Sequence, residues 1–215
     1  MSKTLTELIT NVQALLLDDG TRFSTATVTA AIRAALKDFN SRAPIYAGTL
    51  MDVVSGQKEY VLNTTDFDNL LDVLTVLKQG TDENLEYNTE LEHDAYFEDS
   101  VPVIRLRRAE TSGYLIVRYS IPHSISGLDD GTESTIPAFY DNTLIDGACY
   151  WSCVIRASGR VEPINLNKSV SETLVQTMKF YKEAFERGLA QASRRRPPTA
   201  EPSTISWNDS WHNWI

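Results

Sequence analysis

The sequence predicts an α+β protein: a four-helix bundle made from N- and C-terminal helical hairpins, with an inserted antiparallel β subdomain and an extended C-terminal tail. Three observations predict it. Apolar residues recur at three- and four-residue steps near both ends of the chain. The middle changes to short runs of β-branched and aromatic residues between turn signals. The last residues are rich first in Pro and then in Trp.

The C-terminal hairpin, 136–193, carries the clearest pattern. Phe139, Tyr140, Leu144, Gly147, Ala148, Trp151, Val154 and Ile155 fall on one helical face, and Leu174, Val175, Met178, Tyr181, Phe185 and Leu189 on another. Gly159 to Pro163 supplies the turn between them. At the other end, 1–44, Thr4-Leu-Thr-Glu7 reads as a capping box ahead of Leu5, Leu8, Ile9, Val12, Leu15 and Leu16. Asp18-Asp-Gly20 stops that helix. Ser24 caps a second one running to about Ser41, with Val28, Ile32, Ala35, Leu36 and Phe39 inward and Pro44 beyond its end.

Between the hairpins, 45–135 reads as a β subdomain. Strands are predicted over 49–54, 59–62, 71–78, 103–107 and 114–120, with a short helix from Glu90 to Phe97. Ile104 and Leu106 alternate with Arg105 and Arg107, and Leu115, Val117 and Tyr119 with Ile116 and Arg118, which predicts a sheet with one wet face. Leu-Asp-Asp-Gly-Thr occurs twice, at Leu17–Thr21 and Leu128–Thr132. Neither copy has the alternating ligands and closing Glu of a calcium loop, so both read as turns.

Composition narrows the function. The 215-residue chain has a net charge of −9, which argues against a protein that coats nucleic acid. The N-terminus lacks a signal-peptide pattern, and no apolar run approaches the roughly 20 residues of a membrane span. Cys149 and Cys153, one helical turn apart, read as small buried residues in a reducing compartment, and no histidine stands near them in sequence. There is no nucleophile elbow, no phosphate-binding Gly loop and no paired base and nucleophile, so we expect no enzyme, no catalytic residue, no cofactor and no metal.

Two stretches are candidates for function. From Asp82 to Asp99 there are eight acids and no Lys or Arg. They read either as a solvated face or, at Glu83, Glu86, Glu90 and Glu92, as the wall of a channel from which DNA phosphates are repelled. The tail, 194–215, opens with Arg194, Arg195 and Arg196 and continues through a stiff Pro-rich spacer. Trp207, Trp211 and Trp214 then follow at i, i+4 and i+7, ahead of Ile215. This aromatic face either folds back on its own bundle or anchors in a neighbour. The spacer favours the neighbour, with the arginines adding contact to an acidic partner or to DNA.

Several motifs resemble the head-to-tail adaptor, or connector, proteins of tailed bacteriophages. They are Asp19-Gly-Thr-Arg-Phe-Ser24, Gly56-Gln-Lys-Glu-Tyr60-Val-Leu62, Asp68-Asn-Leu-Leu-Asp-Val73 with Val76, Ile136-Pro-Ala-Phe-Tyr140, Leu144-Ile-Asp-Gly-Ala148 and Tyr181 to Leu189. The resemblance covers residues 4 to 192. Asn63 stands where the pattern has Pro, and the Trp tail is longer and more aromatic than the pattern requires. The resemblance implies a virion neck protein assembled in the host cytoplasm. It implies a ring of twelve neighbouring subunits beneath the portal protein, a docking face for a downstream neck or tail protein, and passage of DNA without specific binding. Another neck or tail-completion role, or a cytosolic helix bundle that binds a partner through its Trp tail, remains the alternative.

Overall fold

The computed structural model describes residues 2–18, 20–62, 67, 69–79, 89–99, 101–158 and 168–194, with side chains from 173 onward in the last helix. Four helices and seven strands follow in chain order: α1 (Leu5–Leu15), α2 (Thr25–Arg42), β1 (Ile45–Asp52), β2 (Glu59–Val61), β3 (Asp72–Gln79), β4 (Thr89–Glu90), β5 (His93–Glu98), β6 (Val101–Leu106), β7 (Tyr114–Ile121), α3 (Asp141–Ser158) and α4 (Lys168–Ser193). The described residues divide into two compact units, one within Met1–Pro44 and His123–Arg196 and the other Ile45–Pro122.

Local chemistry sets the helix ends. The Thr4 hydroxyl accepts from Glu7 N–H while the Glu7 carboxylate accepts from Thr4 N–H at 2.7 Å, which closes the capping box of α1. The Ser24 hydroxyl accepts from Thr27 N–H at the start of α2. Between these helices the Asp18 carboxylate accepts from the N–H groups of Gly20, Arg22 and Phe23, so this copy of the repeated pentapeptide is a tied turn. The second copy turns through Asp129 and Asp130 at positive φ and places Asp129 against Arg33 of α2.

The helical unit is not the four-helix bundle that the sequence predicts. α3 is its central element, packed between α2 and α4, while the 11-residue α1 packs chiefly on α2 and α3. Leu8, Val12, Val28, Ile32, Phe39, Leu144, Cys149, Phe185 and Leu189 build the core, and Ile125, Leu128 and Ile136 from the non-helical segment ahead of α3 complete it. Non-helical chain thus shares the core with the four helices.

The β unit also departs from a single inserted sheet. It has two antiparallel sheets, ordered β1-β7-β3-β4 and β2-β6-β5. They share a core of Tyr60, Leu62, Ile104, Leu106, Val73, Val76, Leu115, Val117 and Tyr119. The one-wet-face expectation holds at β6 only from Arg105 onward, since Val103 on the same face as Arg105 is buried along with Ile104, and it fails at β7. In β7 Ile116 and Ser120 are buried as well, because Ile116 lies in register between Leu50 and Leu77 and forms a second apolar row. The predicted helix from Glu90 to Phe97 is instead β4 and β5. Strand β5 pairs with β6 from His93↔Leu106 to Glu98↔Val101, and Asp99 turns the hairpin at φ +49°.

Candidate functional site

The most distinctive described surface lies along β4, β5 and β6. Glu90, Leu91, Glu92, His93 and Arg107 line an open depression of about 480 Å³. Arg107 holds Glu92 at 3.4 Å, and His93 Nδ1 lies 3.1 Å from the Leu91 carbonyl oxygen. Across the outer face of the three-stranded sheet, Glu59 of β2 meets Arg105 of β6 at 3.5 Å. Tyr96 of β5 reaches the same Glu59. Partial desolvation, then the charges of Glu59 and Glu98, push its phenol up.

Strand β5 is the outer strand of its sheet, and five of its six residues are exposed. By alternation, Ala95 and Phe97 share the core-side face with Ile104 and Leu106. Ile104 and Leu106 are buried, yet Phe97 is 61% exposed. The strand therefore overhangs its own core. It carries Asp94, Glu98 and Asp99 and no Lys or Arg. Such a strand offers contact area and backbone hydrogen-bonding groups, not a catalytic constellation. Among the described residues no group of three or more His, Cys, Asp or Glu is placed to hold a metal ion, and no helix is long and apolar enough to cross a membrane.

The predicted site residues separate into two groups. Glu90 and Glu92 are exposed on and just beyond β4, with Glu92 engaged by Arg107 and Glu90 close enough to Arg118 for its charge to act there. Arg194 is exposed at the end of α4, where its N–H donates to the Ala190 carbonyl. Glu83, Glu86, Arg195, Arg196, Trp207, Trp211, Trp214 and Ile215 lie outside the described residues. Tyr96 and Phe97 escaped the sequence reading because a helix was assigned there. The hairpin signal that would have found them is the Asp99-Ser100 pair between two short β-prone runs.

A family model describing the SU10 adaptor protein matches residues 3–203. The chain belongs to this family of adaptor proteins. No curated protein matches the chain. Among solved structures, it is similar to a chain described as the neck of an empty GTA (gene transfer agent) particle computed with C6 symmetry. That likeness has 13% sequence identity and a TM-score of 0.27, and covers 66% of this chain and 72% of the other.

Proposed function

We propose that this chain is the head-to-tail adaptor that sits beneath the portal as a ring of twelve copies, extends the DNA channel and presents a docking face to the next neck or tail component. The observation that carries the reading is the family match from residue 3 to residue 203, which takes in both units. A closed ring uses heterologous interfaces, so each subunit offers two different complementary faces. In this reading Arg194, Arg195, Arg196, Trp207, Trp211, Trp214 and Ile215 dock into the portal or an adjacent adaptor. Glu83, Glu86, Glu90 and Glu92 face the DNA path, where like charge keeps phosphates from settling on the wall. Assembly takes place in the host cytoplasm.

Negative-stain imaging of the full-length chain mixed with the portal ring of the same virus tests the reading, beside a version ending at Ser193. A ring stacked on the portal by the full-length chain alone supports both the adaptor role and the tail as anchor. Rings with both versions keep the role and remove the tail from it. A full-length chain that never assembles on the portal overturns the adaptor reading.

A further inference from the structure

We infer that the ring contact between subunits joins the overhanging acidic strand β5 of one copy to the exposed basic face of α4 in the next copy. The inference rests on the adaptor reading and adds which surfaces meet.

The first observation is the uneven distribution of charge. Residues 45–122 hold fourteen Asp and Glu against six Lys and Arg, so nearly all of the net charge of −9 lies in the β unit. The rest of the chain is close to neutral. At β5 this acidity is combined with exposed aromatic area: Tyr96 is 37% and Phe97 61% exposed, beside Asp94, Glu98 and Asp99. An outer strand with side chains exposed on both faces, and no strand paired to its far edge among the described residues, invites a partner. Its charge rules out the simplest one, because pairing β5 with β5 of a second copy would bring acid against acid.

The complementary surface is on the helical unit of the same chain. Val175, Lys179 and Lys182 fall at i, i+4 and i+7 along one line of α4, while Phe180 lies further round the helix, where Glu183 follows it at i+3. Val175, Lys179, Phe180 and Lys182 are exposed, with Val175 at 46% and Phe180 at 63%. Glu183 is exposed next to Lys179 at i+4, and Glu186 accepts from Arg42 of α2 at 2.7 Å, so on this surface Lys179, Lys182 and Arg42 outnumber the two acids. One copy cannot use both surfaces on a single neighbour in a closed ring. It uses β5 toward one neighbour and α4 toward the other, which is the head-to-tail arrangement that closure requires.

Charge exchange on the full-length chain tests the assignment, with ring formation on the portal read by mass photometry and imaging. Asp94→Lys with Glu98→Lys in one variant, and Lys179→Glu with Lys182→Glu in another, change exposed positions, and circular dichroism checks that each remains folded. Each variant alone is expected to lose rings by at least tenfold at equal concentration. An equal mixture of the two is expected to recover rings of alternating copies, since the reversed β5 of one variant then faces the reversed α4 of the other and the remaining contacts are the native pair. A chain carrying all four changes should recover rings. Singly reversed variants that assemble like the wild type, or a fourfold variant that stays folded and does not recover, overturn the assignment. Wild-type failure to assemble overturns the adaptor reading instead.

Discussion

At the residue scale, the interior of the helical unit carries a pH dependence. Cys149 and Cys153 are both free and buried, and the Tyr181 hydroxyl, beside Cys149, donates to the Leu15 carbonyl at 3.3 Å. Burial pushes the Cys153 thiol up to about 11 and the Cys149 thiol further. Burial, then the neighbouring Cys149, pushes Tyr181 up to about 12. An unfolded thiol releases its proton near its ordinary value of about 8.5. Above that value the unfolded chain binds fewer protons than the native one, so stability falls as pH rises toward the folded values. The urea midpoint should therefore hold steady from pH 7 to 8 and drop between 8.5 and 11. Replacing both cysteines by Ala lowers stability at every pH, because it leaves cavities, but should flatten that alkaline slope. An unchanged slope in the double variant would remove the thiols from the account. Since the thiolate is the reactive species, the same burial keeps both cysteines in the less reactive thiol form.

At the scale of elements, two glycines let α3 and α4 approach. A Cβ on Gly188 would stand 2.4 Å from both Cγ2 and Oγ1 of Thr143, and one on Gly147 would stand 2.6 Å from the Phe185 ring. Thr143 is β-branched and stiff at χ1 within its helix, so it has little room to yield. Gly188→Ala should cost about 1–3 kcal/mol by overpacking, measured by urea denaturation, and Thr143→Ala in the same chain should restore only part of that loss, since the Cβ at position 143 stays 2.9 Å from the new one. Equal stability of Gly188→Ala and wild type would show that the helices are not in close contact there. The helices themselves were legible: Thr4, Glu7 and Ser24 cap where their side chains imply, and Phe39, Leu144, Phe185 and Leu189 are inward as their spacing requires. Strand β5 was not. His93 to Glu98 is polar, short and exposed on both faces, so it lacks the alternation that marks a strand, and its acids at three- and four-residue steps imitate a helix. The strand exists because β6 supplies the ladder, which is tertiary context that local spacing does not record.

At the scale of the whole molecule, periodicity identified the helical and β regions of the chain but misjudged how each is built. A four-helix bundle follows from counting amphipathic helices, yet Ile125, Leu128 and Ile136 occupy core positions from non-helical chain, and their scattered spacing gives no periodic signal. Two sheets instead of one follow from pairing partners far apart in sequence, such as β1 with β7 and β2 with β6, which no local window reveals. The two cores that result have no residue in common: one is drawn entirely from the helical unit and the other entirely from residues 45–122. Cooperativity in unfolding comes from shared buried contacts, and a chain with two closed cores need not behave as one two-state system. Amide exchange followed by mass spectrometry across a urea series should therefore show two midpoints, one for peptides of α1–α4 and one for peptides of β1–β7. Asn40 should report with the helices. Its side chain clasps the returning chain by accepting from His123 N–H at 2.8 Å and donating to the His123 carbonyl at 3.3 Å, and both residues belong to the helical unit. A single midpoint shared by all peptides would mean that the two cores are energetically coupled, and the chain would then unfold as one cooperative body instead of two.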